Sequence, residues 1–284
     1  MVEKYIPASK CEALEILSKH DCYILAGGSD LMVMKKNTAG LAPKFDKDVL
    51  YLSHVDELKG IYKDEAGVHI KSMTTLDDVL LNKLTPALLK KAVSQVASSN
   101  IRHFATLVGN LANASPAGDT IVVDILLDAK VKLESVNGER IVNAEDFVLG
   151  VRKIDRHPDE LITELIFPNI EYDGDMWWKV GSRKADSISK VMVAGYYEKT
   201  GKIISKFALS FGSVSSKAIR SHEIEKEIIG MEAYELSFRK KEIIDKYSKV
   251  ISPIDDQRSN KEYRQKVAMN IVSEFIDQVV KGGK

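Results

Sequence analysis

The chain has 284 residues, enough for about two domains of ordinary size, and its 44% hydrophobic and 29% charged residues are normal for a globular protein. Its 41 Lys and Arg residues balance its 41 Asp and Glu residues, so no overall basic field favours nucleic acid or an anionic membrane as a partner. The first residues lack the apolar core of a secretory signal, and no stretch approaches the roughly 18 apolar residues of a membrane helix, which predicts a cytoplasmic location.

The cysteine and histidine content argues against a metal centre in this chain. Only Cys11 and Cys22 are present, whereas an all-cysteine iron–sulfur site needs about four thiolates. The six histidines are scattered and form no HExxH or comparable pair. We therefore expect no metal site, and if the protein performs redox chemistry, an organic cofactor must carry the electrons.

Capping and patterning signals predict short helices and strands in no regular order over the first 130 residues. Ser9 and Glu12 have the spacing of a capping box, and Thr75 and Asp78 repeat it. In chain order the predicted elements are a helix over about 9–20, strands over 23–25, 49–52 and 68–70, a helix from 75, a helix over 87–97, a loop over 101–120 and a helix over 121–127.

The second half of the sequence predicts two hairpins followed by helices. Asn137–Gly138 predicts a type I′ turn in the first hairpin. The predicted elements are strands over 131–134, 140–142, 160–168, 176–183, 191–197 and 203–211, with helical patterning from 218 onward. Such an irregular mixture indicates an α+β fold. The charged, poorly patterned stretch 169–175 suggests domains at 1–170 and 171–284.

Two segments have the composition of ligand-binding loops. In Leu25–Leu31 a pair of glycines permits positive φ angles and lets a ligand approach the backbone N–H groups, although a plain tight turn explains the pair equally well. In Thr106–Thr120 the only charged residue is Asp119. A segment this uncharged is expected to be buried, and either a polar ligand or the surrounding protein must then satisfy its backbone groups. Neither segment has the spacing of GxGxxG or of a P-loop.

These two segments resemble the FAD subunits of molybdenum hydroxylases. That family includes the medium chains of bacterial xanthine, carbon monoxide and nicotinate dehydrogenases and the flavin domain of xanthine oxidoreductase. Residues 26–31, AGGSDL, are similar to its AGGTDL loop, and residues 101–119 stand in register with its pattern IRN.ATIGGNIANASPAAD. The stretch 179–191 and the late motif with Asp256, Arg258 and Arg264 extend the resemblance over nearly the whole chain.

The resemblance implies a fold and a cofactor. The fold would be the two-subdomain FAD-binding fold of the vanillyl-alcohol-oxidase/p-cresol-methylhydroxylase type, with a smaller C-terminal α+β domain of antiparallel sheet and helices. Ile24–Leu31 and Thr106–Asn110 would line the pyrophosphate and flavin, Asp119 would accept from an FAD hydroxyl, Ile162 would pack on the cofactor, and Lys179 would lie at the flavin end. The implied FAD-binding residues are Ile24, Leu25, Ala26, Gly27, Gly28, Ser29, Asp30, Leu31, Thr106, Leu107, Val108, Gly109, Asn110, Asp119, Ile162 and Lys179.

The residues themselves leave simpler interpretations open at two of these positions. Asp119 has the side chain and the place to cap a helix that begins at Thr120, and Lys179 could be a solvated strand residue. The sequence also departs from the family pattern, because Val108 replaces the first glycine of a pair. If the family backbone has a positive φ angle at that position, this chain must adjust. His103 is interpreted as a packing residue or an indirect contact.

The resemblance also implies a role and partners. Electrons would come from 2Fe–2S clusters on a small partner subunit, and ultimately from a large molybdopterin-binding subunit, and would pass through FAD to NAD or another acceptor. No acid–base or nucleophile constellation is apparent, so we assign no catalytic residue. Two alternatives are a stand-alone flavin oxidase or reductase of the same fold, such as a UDP-N-acetylenolpyruvoylglucosamine-reductase-like protein, and a flavin-free scaffold protein.

Overall fold

The N-terminal segment forms a small parallel sheet. In a computed structural model that describes residues 2–282, its elements are β1 (Lys4–Tyr5), α1 (Lys10–Leu17), β2 (Cys22–Leu25), α2 (Leu31–Met34) and β3 (Asp48–Tyr51). The strand order is β1-β3-β2, and both pairings are parallel. Ser9 caps α1 by accepting a hydrogen bond from the Glu12 backbone N–H, but the predicted capping box is incomplete, because the Glu12 carboxylate accepts from the Ala8 N–H rather than from that of Ser9. The buried face of α1, Ala13, Leu14 and Leu17, packs in one core with Leu50 of β3.

The second unit is a five-stranded antiparallel sheet covered by helices. Its elements are β4 (Ile61–Lys63), β5 (Val68–Lys71), α3 (Leu76–Leu81), α4 (Ala87–Ser94), α5 (Ser99–Arg102), α6 (Leu107–Asn113), α7 (Asp119–Leu126), β6 (Lys130–Ser135), β7 (Gly138–Asn143), α8 (Ala144–Phe147), β8 (Val148–Gly150), β9 (Lys153–Ile154) and β10 (Leu161–Phe167). The order is β4-β5-β10-β6-β7, and β8 pairs with β9 apart from it. Every residue of the central strand β10 is buried, including the polar residues Thr163 and Glu164 in its middle.

The C-terminal unit places helices on an antiparallel sheet. Its elements are β11 (Gly174–Val180), β12 (Val191–Thr200), β13 (Ile203–Gly212), β14 (Ile219–Arg220), α9 (His222–Ile228), α10 (Ala233–Val250) and α11 (Lys261–Lys281). Strands β11 to β14 pair in sequence order. One face of this sheet packs on the C-terminal helices, where Val193 and Phe211 share a core with Phe275 of α11.

Helix α7 joins the second and third units. All eight of its residues are buried. Its apolar side chains share one core with Met192, Ala194 and Ala208, which lie on the face of the C-terminal sheet opposite to α9–α11. The Ser210 hydroxyl of β13 also donates a hydrogen bond to the Val122 carbonyl oxygen at 2.6 Å. The C-terminal sheet is therefore packed on both faces, and α7 is its partner on one of them.

The structure confirms the α+β class, corrects two local predictions and shows the backbone at Val108. Residues 101–120 are not a continuous loop, because α5, α6 and the start of α7 occupy most of them. Val108 lies within α6, is 5% exposed and has no positive φ angle, so its side chain needs no adjustment of the backbone. In the first hairpin Gly138 has a positive φ angle and Asn137 does not, which rules out a type I′ turn.

Within residues 2–282, no helix has both the length and the apolar composition needed to cross a bilayer.

Candidate functional site

A large cleft lies between the N-terminal units and the C-terminal unit. Its volume is about 860 Å³, near the upper end of the range of roughly 300–1,000 Å³ for small-molecule sites. One wall comes from residues 29–30, the segment 96–119 and residues 151–152, and the other from residues 186–189, 213–216 and 252–264. The cleft is therefore bounded by both of the segments that the sequence singled out, and also by a surface from the C-terminal unit.

The turn after β2 contributes to the cleft because a glycine lets two backbone segments touch. A Cβ atom built on Gly27 would lie 1.7 Å from the Phe104 carbonyl oxygen and 3.1 Å from the Ala105 Cα atom. Those distances leave no room for any side chain at position 27. Gly28 follows with a φ angle of +72°, which glycine adopts without strain. The close approach brings Ser29 and Asp30 into the same wall as Thr106.

Helix α6 presents a polar face to the cleft. Thr106 caps the helix, its hydroxyl oxygen accepting a hydrogen bond from the Gly109 N–H at 3.0 Å. A Cβ atom at Gly109 would lie 2.7 Å from that oxygen, so the glycine permits a tight cap. Asn110 and Asn113, three residues apart on one face of the helix, both line the cleft. The Asn110 Oδ1 atom accepts a hydrogen bond from the Thr120 hydroxyl at 2.9 Å.

A buried ion pair lies at the start of α7. The Lys179 Nζ atom is 2.5 Å from the Asp119 Oδ2 atom and 2.7 Å from the Gln95 carbonyl oxygen. Burial raises the pKa of Asp119 to about 6, while the charge of Lys179 and its hydrogen bond oppose that rise. The second carboxylate oxygen of Asp119, Oδ1, is buried and has no hydrogen-bond partner among the described residues. It is thus an acceptor that a bound hydroxyl or amide could satisfy.

The simpler interpretations of these two residues do not hold. Gly118 occupies the N-cap position of α7, and Asp119 is the first helical residue, with its carboxylate turned to Lys179. The Lys179 side chain is 6% exposed, so it is not a solvated strand residue.

The C-terminal wall of the cleft was not predicted as a site. Ser213 has a positive φ angle of 62° and connects both walls, because its N–H donates to the Pro116 carbonyl oxygen at 2.8 Å. Its hydroxyl lies 2.8 Å from that of Ser189, and its carbonyl oxygen accepts from Arg264 Nη1 at 2.6 Å. Arg264 also donates to Asp256 at 2.8 Å. The sequence motif that contains Asp256 and Arg264 could have drawn attention to this wall, but it did not indicate a role for either residue.

The predicted binding residues divide into those that face the cleft and those that support it. Five line the cleft directly: Ser29, Asp30, Thr106, Asn110 and Asp119. Lys179 lies behind Asp119. Leu107 and Val108 are buried in the core, and Ile162, on β10, is 5% exposed and packs in that same core. The remaining predicted residues form β2, the turn around Gly27 and the first turns of α2 and α6.

Comparison with known proteins identifies the family. Residues 1–170 match the family described as the FAD binding domain in molybdopterin dehydrogenase, and residues 177–279 match the CO dehydrogenase flavoprotein C-terminal domain. The glyceraldehyde dehydrogenase medium chain of Sulfolobus acidocaldarius is 30% identical over 94% of this chain and 94% of its own. The carbon monoxide dehydrogenase medium chain of Hydrogenophaga pseudoflava is 24% identical over 97% of this chain and 96% of its own.

The fold comparison agrees with this result. A solved carbon monoxide dehydrogenase structure from Hydrogenophaga pseudoflava, which lacks the Mo-pyranopterin moiety, superimposes with a TM-score of 0.89 at 24% identity. The match covers 100% of this chain and 98% of that one. Near-complete coverage of both chains shows that the three units have the same arrangement as in that protein.

The residues of the cleft fit the cofactor of this family. FAD carries many hydroxyl, carbonyl and phosphate oxygens that form hydrogen bonds. The lining of the cleft includes Asp119, whose Oδ1 atom has no hydrogen-bond partner among the described residues, and the side-chain amides of Asn110 and Asn113. The close backbone approach at Gly27 shapes one wall without bulky side chains. The chain belongs to the family of FAD-binding medium subunits of molybdenum hydroxylase-type oxidoreductases.

Proposed function

We propose that this chain is the electron-transfer subunit of a xanthine dehydrogenase-like complex. Its partners would be a large molybdopterin-binding subunit and a small 2Fe–2S subunit, and electrons from the 2Fe–2S clusters would pass by way of FAD to NAD or another acceptor. The observation that carries this proposal is the cleft between the two halves of the chain, lined by both segments of the family pattern. The names of the relatives add support, since the proteins from Sulfolobus and Hydrogenophaga are medium chains of dehydrogenases.

In this proposal the chain's residues bind and orient the cofactor. Ser29, Asp30, Thr106, Asn110 and Asp119 would contact FAD directly, because they line the cleft. The other predicted residues would act by shaping the walls, and Lys179 would act by holding one oxygen of Asp119 so that the other stays available. Bound FAD would supply chemistry that joins one-electron carriers to a two-electron acceptor. The proposed division of the chain is an FAD-binding domain over 1–170 and a C-terminal domain over 171–284.

Cofactor binding is tested by reconstitution. The purified chain is incubated with FAD, passed through a desalting column and examined by visible absorption. We expect flavin absorption to remain with the protein, and to be lost when Asp119→Ala removes the buried carboxylate. A wild-type protein that stays colourless after FAD addition would contradict the proposal.

The role in a complex is tested by purification from the native cell. We expect the chain to be recovered with a large molybdopterin-containing subunit and a small iron–sulfur subunit. The terminal acceptor is then examined by comparing reduction of NAD⁺ with reduction of an artificial dye by the reduced complex. A solitary monomer that oxidises a substrate without partners would instead identify a stand-alone oxidoreductase.

A further inference from the structure

The connection between α4 and α5 presents three consecutive backbone carbonyl groups to cationic side chains. The Gln95 carbonyl oxygen accepts a hydrogen bond from Lys179 Nζ at 2.7 Å. The Nη1 atom of Arg102, the last residue of α5, donates to the Val96 carbonyl oxygen at 2.8 Å and to the Ala97 carbonyl oxygen at 3.2 Å. Because α4 ends just before this segment, no further helical turn satisfies these carbonyl groups, and the two cations bind them instead.

The contacts of Arg102 hold this segment in a conformation that has a cost. Ala97 has a φ angle of 44°, in the left-handed region that a residue with a Cβ atom adopts only with strain. The Arg102 Nε atom is buried and has no hydrogen-bond partner among the described residues. An unsatisfied buried donor is also unfavourable, so the two bonds from Nη1 must offset both costs.

The same segment is connected to the ion pair at the start of α7. Besides the Gln95 carbonyl oxygen, the Lys179 Nζ atom contacts the Asp119 Oδ2 atom at 2.5 Å. The side chains of Lys179 and Asp119 are only 6% and 8% exposed, so these acceptors decide where the ammonium group lies. Arg102 therefore acts at one remove, because it fixes the backbone next to the carbonyl group that Lys179 contacts.

We propose that Arg102 is a positioning residue for Asp119: by holding the carbonyl groups of residues 96–97, it places the Gln95 carbonyl oxygen where Lys179 can join it to Asp119 Oδ2. The other carboxylate oxygen, Oδ1, which has no partner among residues 2–282, then remains available as an acceptor for a ligand hydroxyl. Val96 and Ala97 line the cleft, whereas Arg102 stands behind them. This inference rests on the proposed contact between Asp119 and FAD.

The first test follows the ionisation of Asp119 in the full-length chain without FAD. Burial raises the pKa of Asp119 to about 6, and the charge and hydrogen bond of Lys179 oppose this rise. Arg102→Met removes the guanidinium group and keeps a long apolar side chain. If Lys179 then loses its alignment, the pKa of Asp119 should rise further, by roughly one pH unit, the lower end of the effect of a neighbouring opposite charge.

The measured quantity is the difference in unfolding free energy between a chain and the same chain carrying Asp119→Asn. Urea unfolding gives this difference between about pH 4 and pH 8. In the wild-type background it should fall until about pH 6, where Asp119 ionises in the folded protein. In the Arg102→Met background we expect the fall to continue to roughly pH 7. A fall over the same pH range in both backgrounds would overturn the inference.

Arg102→Lys separates position from charge. The substitution keeps the positive charge, so any direct effect of that charge on Asp119 is retained, but a shorter ammonium group does not reproduce the contacts of the planar guanidinium. We expect a shift in the same direction as in Arg102→Met, but smaller. This conservative variant also serves if Arg102→Met does not fold, which thermal unfolding followed by circular dichroism shows. No shift in folded Arg102→Lys would overturn the inference.

Titration with FAD tests the connection to the cofactor. We expect Arg102→Met to weaken FAD binding roughly three- to tenfold, as for the loss of one hydrogen bond. In a chain that already carries Asp119→Asn the same substitution should have much less effect, because both changes act on one contact. Equal factors in the two backgrounds would overturn the inference, since Arg102 would then act by another route. A wild-type chain that binds no FAD would instead refute the proposed function, and the pH measurement, which needs no cofactor, distinguishes the two failures.

Discussion

Gly27 illustrates how a single residue joins two segments that are almost 80 positions apart in the sequence. Its Cα atom packs against the backbone at Phe104 and Ala105, and a methyl group at this position would overlap the Phe104 carbonyl oxygen. The first glycine of the pair is therefore required because two backbone segments of the chain approach each other closely at this point. The second, Gly28, is required by its backbone angle.

We predict that Gly27→Ala separates these segments. The overlap should lower the free energy of unfolding by roughly 1–3 kcal/mol and weaken FAD binding, because Ser29 and Asp30 would move away from Thr106. Denaturant unfolding and FAD titration measure the two effects. Gly150→Ala is the matched control, since a Cβ atom there meets nothing within 4 Å. Equal stability and equal FAD affinity in the two variants would show that neither property requires the close contact between Gly27 and the backbone at Phe104 and Ala105.

The buried carboxylate of Asp119 makes a pH-dependent contribution to stability. Burial raises its pKa in the folded protein to about 6, from its ordinary value of 3.8. Its stabilising contribution is therefore complete below about pH 3.8 and is lost as pH rises through about 6. Lys179, 2.5 Å away, limits the loss but does not abolish it, because the folded-state pKa remains raised.

We predict that Asp119→Asn removes this dependence. Between about pH 4 and pH 7 the wild-type protein should lose roughly 2–3 kcal/mol of unfolding free energy relative to the variant. Urea unfolding of both proteins across this range gives the difference directly. Asp245→Asn, at an exposed position on α10, is the matched control because it makes the same substitution outside the buried ion pair. The interpretation fails if the difference in unfolding free energy between Asp119→Asn and the wild type does not change with pH.

At the scale of elements, α6 shows where sequence patterns reach their limit. Gly109, Asn110 and Asn113 have poor helix propensity, and Ser115–Pro116 is typical of a turn, so a loop was the expected structure. The helix forms because Thr106 caps it and because Leu107, Val108 and Leu111 bury their side chains in the core. Tertiary packing outweighs local propensity in so short a helix.

Substitution of Val108 by the glycine of the family pattern tests this explanation. We predict that Val108→Gly lowers the unfolding free energy by roughly 2 kcal/mol or more, since it adds backbone entropy to the unfolded chain and removes a buried side chain. Val108→Ala separates the two contributions, because it removes most of the side chain and retains a good helix former. Increased stability of Val108→Gly, measured by thermal unfolding, would indicate a strained backbone at this position.

The hairpins and one of the two capping boxes could be predicted because their signals are local, whereas the cleft could be predicted only in part. The capping box of Thr75 and Asp78 is present as expected, and both predicted hairpins form. The C-terminal wall depends on contacts between residues far apart in sequence, such as that between Ser213 and Arg264. No local pattern marks a serine that becomes a wall residue only when β13, α11 and the Pro116 turn meet.

At the scale of the whole molecule, α7 makes the two halves of the chain mutually dependent. The helix is buried on every side, and Met192, Ala194 and Ala208 of the C-terminal sheet complete its surroundings. The cleft lies at this same junction, so FAD would contact a surface that exists only when both halves are folded. Folding and cofactor binding should therefore be coupled.

We predict that residues 1–170 alone do not reproduce the stability of the full chain. Removal of the C-terminal sheet would expose the apolar face of α7, and burial of apolar surface contributes about 25 cal/mol per Å² to stability. The fragment should unfold at a lower temperature, or aggregate, and should bind FAD much more weakly. Circular dichroism, size-exclusion chromatography and FAD titration of the fragment and the full chain check these outcomes. A shared core predicts that the full chain unfolds in one thermal transition that FAD shifts to a higher temperature, and that the fragment shows no such transition. A monomeric fragment with the full chain's melting temperature would show that the packing on α7 is dispensable.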